Sequence, residues 1–68
     1  MKKNIKHGVL SAELTPNKKY RIRYENGDNI CYISKYSIEF TKSMEPMPHT
    51  IISALPILLS ECKQELNK

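Results

Sequence analysis

The chain has 68 residues, carries 11 Lys and Arg against 7 Asp and Glu, and is 40% hydrophobic and 26% charged. That is the length of one domain with the composition of a folded one, which excludes a two-domain enzyme, a repeat array and a collagen-like chain. The longest apolar stretch, residues 51–59, is broken by Ser53 and Pro56 and falls well short of the roughly 20 apolar residues of a bilayer span.

The charge is unevenly placed. Residues 1–42 hold nine basic and four acidic side chains, whereas residues 43–68 hold two and three. The opening residues Met1, Lys2, Lys3 and Asn4 lead into Ile5, Lys6, His7 and Gly8, which stay polar where a secretory leader would turn apolar. They read as a flexible basic arm over 1–7, and the chain is expected to work in the cytoplasm with no membrane partner.

The sheet is predicted over 8–41 as three strands. Residues 9–14 alternate weakly, with Leu10, Ala12 and Leu14 on one side. Thr15, Pro16, Asn17 and Lys18 form a turn in which Pro16 already has the φ it needs. Residues 19–25 alternate cleanly, Tyr20, Ile22 and Tyr24 against Lys19, Arg21 and Arg23. A long β-rich run follows over 29–41. Its apolar residues Ile30, Tyr32, Tyr36, Ile38 and Phe40 are even-numbered, like those of the preceding strand. A two-residue turn would set even side chains opposite odd ones, on the wrong face. A three-residue loop of Glu25, Asn26 and left-handed Gly27 avoids this and pairs Ile22 with Ile30 and Tyr20 with Tyr32. The outward face would then present Lys19, Arg21, Arg23, Cys31, Ile33, Lys35, Ser37 and Glu39. A break at Ser34 and Lys35 would curl the sheet toward a small barrel.

Residues 42–52 read as a connector, because Pro46 and Pro48 oppose regular pairing. A helix is predicted over 53–67, with Ser53 as N-cap and Pro56 in the first turn, where its missing N–H is harmless. Leu55, Leu58, Leu59, Cys62 and Leu66 form its apolar stripe. A helix beginning at Thr50 would instead be kinked at Pro56. The fold class is therefore α+β: a three-stranded antiparallel sheet with one C-terminal helix packed on its even-numbered face. That layout is similar to the arm-binding domains of tyrosine recombinases and to plant AP2-type DNA binders, a resemblance of architecture with no shared motif.

Catalysis has no support in the sequence. There is no nucleophile elbow, phosphate-binding glycine loop or informative carboxylate pair, and His7 and His49 stand apart. Cys31 and Cys62 have neither C-x-x-C nor zinc spacing and are expected to be free thiols. No enzyme, metal or cofactor is expected.

Binding remains. Lys19, Arg21 and Arg23 project from one strand about 6.6–6.8 Å apart, close to the phosphate repeat along one DNA strand. Lys35 extends the stripe. These four are the candidate DNA- or RNA-binding residues, although an antiparallel sheet with one wet face needs polar residues there in any case. Tyr20, Tyr24, Tyr32 and Tyr36 either pack beneath the helix or form a stacking surface for bases. The alternative function is a protein-binding inhibitor or adaptor of phage or mobile-element type, acting on a host protein. Its contact residues would be Ile33 on the sheet face and Met44, Met47 and Ile57 in an apolar region. A homodimer through Ile33 and Cys31, or through Ile57, would supplement a core this small.

Overall fold

A computed structural model of the chain describes residues 2–41 and 48–68. It is α+β, with an open antiparallel sheet of five described strands in sequential order and one C-terminal helix. The strands are β1 (Asn4–His7), β2 (Leu10–Leu14), β3 (Tyr20–Tyr24), β4 (Asn29–Ile33) and β5 (Ile38–Phe40). Helix α1 spans His49–Leu66. The expected three strands are thus five, which departs from the three-strand-and-helix layout of the DNA binders named above.

One added strand comes from the presumed arm. Residues 4–7 pair with β2 through a two-residue turn at Gly8 and Val9, with Ile5 opposite Ala12 and His7 opposite Leu10. Gly8 has φ +56, the left-handed first position that a type II′ hairpin requires. The residues before β1 are tied down as well. The Lys2 N–H donates to Glu65 Oε1 at 3.0 Å, the Tyr20 hydroxyl donates to the Lys2 carbonyl at 2.5 Å, and the Leu14 N–H donates to the Lys3 carbonyl at 2.8 Å.

The other added strand comes from the long β-rich run, which turns back at 34–37. There the Ser34 N–H donates to the Ser37 carbonyl at 2.9 Å, and Ile33 pairs with Ile38. The run folds into a hairpin and the sheet does not curl into a barrel.

The β3–β4 loop is the three-residue one that parity requires. Gly27 has φ +96, the Tyr24 N–H donates to the Asp28 carbonyl and the Gly27 N–H to the Tyr24 carbonyl, both at 2.9 Å. The register beyond it differs from the expected one. Arg23 pairs with Asn29, but Ile22 pairs with Cys31 and Tyr20 with Ile33. Ile30 is therefore an extra residue in β4, a bulge that reverses the parity of everything after it. As a result Ile30, Cys31 and Ile33 are all fully buried, whereas Tyr32 moves to the opposite face beside Arg21. The four tyrosines do not share one face.

The core lies between the sheet and α1. Leu10, Ala12, Tyr20, Ile22, Ile30, Cys31 and Ile33 meet Ile51, Leu55, Leu58, Cys62 and Leu66. The helix begins at His49, with Pro48 as its N-cap and no side-chain capping bond. Ser53, expected as the cap, instead donates its hydroxyl to the His49 carbonyl at 2.9 Å. Pro56 is consequently in the helix interior. The extra N-terminal turn brings Ile51 into the stripe, where it is fully buried. Burying an isoleucine contributes about 1.5–3 kcal/mol, comparable to the roughly 3 kcal/mol cost of an interior proline.

Glu65 is the charged residue of α1 that is nearly buried. Besides the Lys2 N–H, it accepts from Lys68 Nζ at 2.7 Å. The Lys68 bond first, then the Lys2 N–H, hold its carboxyl below the usual 4.5 despite the desolvation that opposes them.

A carboxyl with a depressed folded pKa adds stability above its unfolded pKa and loses it as pH falls through the folded value. Wild type should therefore lose stability below about pH 4.5 more steeply than Glu65→Gln does, in urea melts taken from pH 6 to pH 3; parallel acid profiles would show that Glu65 carries no such linkage. Pro56→Ala should restore the missing bond to the Ile52 carbonyl and raise stability by about 1–3 kcal/mol. An unchanged urea midpoint would mean that the proline ring makes a contact worth as much as that bond.

Candidate functional site

Helix α1 rests on β1 and β2 and reaches β4, so it covers one face of the sheet. The opposite face is built from the alternate residues of each strand, and the registers align them in two cross-strand rows. The first is Asn4, Glu13, Arg21, Tyr32 and Glu39. The second is Lys6, Ser11, Arg23 and Asn29. Lys19 sits just before β3, with its ammonium 3.9 Å from Glu39.

The two arginines of β3 are held differently. Arg21 Nη2 donates to Glu13 Oε1 at 2.6 Å. The Glu13 bond and charge, and more weakly Tyr32, hold its guanidinium above the usual pKa range. Arg23 Nη2 donates to a neutral acceptor, the Gly27 carbonyl, at 3.3 Å. The Nε atoms of both arginines are buried without a hydrogen-bond partner.

Of the expected nucleic-acid residues, Lys19, Arg21 and Arg23 thus share the outer face, half-exposed. Lys35 does not extend their stripe; it lies in the turn at 34–37, with its ammonium 5.7 Å from the centroid of the Tyr36 ring, within cation–π range. Lys6, Ser11, Glu13 and Tyr32 also belong to the face, beyond the residues that the strand pattern singles out. Lys6 and Ser11 enter it because residues 4–7 form β1, and Tyr32 because of the bulge at Ile30. An alternating Asn4-Ile5-Lys6-His7 followed by Gly8 is the signal that would have found the first pair.

The expected protein-contact residues are scattered. Ile33 is fully buried against α1 because the bulge turns it inward, so neither it nor Cys31 is available to a dimer partner. Met44 and Met47 lie outside the described residues. Ile57 is 53% exposed, off the buried stripe of α1. Phe40 is 56% exposed and Ile38 partly so; they stand opposite Cys31 and Ile33, on the helix side of the sheet.

His7, Cys31 and Cys62 are engaged within the fold. His7 does not stand apart: its Nε2 lies 2.6 Å from Glu61 Oε1, joining β1 to α1. Cys31 and Cys62 are free and buried, and burial pushes their thiols up to about 11 and about 12, with Cys31 adding to the shift at Cys62. Thiols held protonated in this way are poor nucleophiles. Among the described residues no three of His, Cys, Asp and Glu gather into a group able to hold a metal ion, and no described helix is long and apolar enough to cross a membrane.

Comparison with known proteins returns no matching family, no matching curated protein and no matching solved structure.

Proposed function

We propose that this chain is a small non-enzymatic protein that binds nucleic acid on the outer face of its sheet, with Lys19, Arg21 and Arg23 against the phosphates. The observation that carries the reading is the distribution of charge across the sheet. One face is covered by α1 over β1, β2 and part of β4, and the other presents Lys6, Lys19, Arg21 and Arg23 with Tyr32 among them, against Glu13 and Glu39 in the rows and Glu25 at the turn. Exposed ion pairs contribute only about 0–1 kcal/mol. A phosphate can therefore draw Arg21 from Glu13, or Lys19 from Glu39, at small cost.

The width of the sheet favours single strands. Five strands at a spacing of about 4.8 Å span roughly 19 Å, whereas a major groove is about 12 Å wide. The face cannot lie flat in that groove, but a single strand of DNA or RNA can run across it, with Tyr32 as a stacking surface. A protein-binding role as inhibitor or adaptor is the competing reading, favoured by the exposure of Ile57, Ile52 and Phe40.

Fluorescence anisotropy of labelled single-stranded and duplex oligonucleotides, titrated at several salt concentrations, separates the two. Three or four phosphate contacts on a single strand give a log–log salt slope of about −2 to −3. Arg21→Glu combined with Arg23→Glu should abolish binding while the far-UV circular dichroism spectrum is retained. Undiminished affinity in that folded double variant, or no binding by wild type at low salt, would sink the nucleic-acid reading. In the latter case a pull-down whose partner is lost on Ile57→Asp becomes the test of the competing one.

A further inference from the structure

At the end of the sheet where the β1–β2 and β3–β4 turns lie side by side, the outer face dips into an open groove of about 400 Å³. Its floor is the second cross-strand row: Lys6 beside Ser11, and Ser11 beside Arg23. Gly8 and Gly27 lie along its walls, with Glu25 also lining it. Both glycines have positive φ, so the turns at this end are held in geometries that position the backbone without bulky side chains.

We propose that this groove is a subsite for one phosphate group, with Lys6, Ser11 and Arg23 as its ligands. Three features converge. Lys6 supplies a compact charge, Arg23 a planar fork and Ser11 a hydroxyl donor, on three adjacent strands at matched register. Together they address the several oxygens of a tetrahedral anion, in a way that one lysine cannot. The Arg23 fork is steadied by the Gly27 carbonyl, a neutral acceptor in place of a carboxylate, and its Nε is buried without a partner. Arg21 shares the orphaned Nε but gives its fork to Glu13 at 2.6 Å, which distinguishes the two positions. The row contains no acidic residue, unlike the neighbouring row with Glu13 and Glu39. Glu25 opposes an anion from the turn, so two cations act against one carboxylate across the groove.

The phosphate has two possible sources, a strand of nucleic acid or a free phosphorylated small molecule. The first rests on the function proposed above; the site itself does not. The test is amide NMR of the isotopically labelled chain, titrated separately with inorganic phosphate, adenosine 5′-monophosphate and a single-stranded decanucleotide at low salt. Phosphate and the mononucleotide should give saturable shifts at Gly8, Ser11 and Gly27. Arg23→Gln and Lys6→Gln should each weaken that binding at least tenfold, and Glu25→Gln should tighten it severalfold. Unshifted core amides of Ile22 and Leu58 report that each variant is folded.

Groove amides that stay still under both small probes would overturn the subsite, whatever the decanucleotide does. Equal weakening by Lys63→Gln, which removes a charge from the helix, would also overturn it, since the response would then be to overall charge. Groove shifts with the small probes but no decanucleotide binding would uphold the site, make its ligand a phosphorylated small molecule and sink the nucleic-acid function. Groove amides that stay still under the small probes, with decanucleotide binding lost in Arg21→Gln yet untouched in Arg23→Gln, would do the reverse.

Discussion

Ile30 is inserted into β4 between the Arg23–Asn29 and Ile22–Cys31 pairs, and both faces of the sheet depend on that insertion. Without it, the ladder leaving the three-residue loop would continue in phase and set Cys31 and Ile33 against water. The bulge puts Ile30, Cys31 and Ile33 together under α1, fully buried, at about 1.5–3 kcal/mol for each isoleucine. It also moves Tyr32 across the sheet, where it stands opposite Arg21, half-exposed. A bulge therefore does two things here that an unbroken strand cannot do together: it thickens the core and furnishes the open face with its aromatic residue.

A second constraint is the size of the core. A domain this short buries only about 60% of the surface exposed by its unfolded chain, and polar clamps at the periphery supplement the apolar seal. The first strand illustrates this. Among its four residues Ile5 alone is buried, too little to hold an edge strand by itself. The His7–Glu61 contact at one end and the Lys2–Glu65 bond beyond the other fasten it to α1, while the Tyr20 hydroxyl, rising from the core, ties the Lys2 carbonyl to β3. The same clamps, with the pairing to β2, place β1 and hence Lys6 in the outer face.

How much of this was legible in the sequence depended on whether a signal was local. The alternation of β3 and the left-handed Gly27 are local properties, and both could be read directly. Strand β1 was harder, because one inward isoleucine between polar neighbours looks the same in a strand and in a solvated arm. The bulge could not be read at all: Ile30 and Cys31 are adjacent apolar residues, and parity cannot say which belongs inside when the helix has room for both. The helix start failed for a related reason. Pro56 argues for a late start and Ile51 for an early one, and the balance is set by how deeply Ile51 is buried, which is a tertiary quantity. Three residues of the basic stripe were legible, since one alternating strand carries them. Lys6 and Ser11 were not, because their place beside Arg23 comes from pairings between strands.

The unequal setting of Arg21 and Arg23 has a physical consequence for any anion that meets this face. Arg21 and Arg23 leave the same face of one strand from backbone positions about 6.8 Å apart, so two unpaired guanidinium groups there would repel each other. Glu13 relieves that repulsion by pairing with Arg21 at the margin of solvent, where water screens the pair. An approaching phosphate meets one cation already oriented by a neutral carbonyl and a second held in reserve by a weak partner. Under the proposed function, engagement at Arg23 would come first, because its fork is held by a carbonyl and not by a carboxylate. Once a phosphate is seated there, recruitment of Arg21 by the next one requires Glu13 to turn toward water, a small barrier beside the gain from a bidentate contact. Under the proposed function, Glu13 would thus serve as a counterion to Arg21 in the free protein, to be exchanged for a phosphate when a polyanion binds.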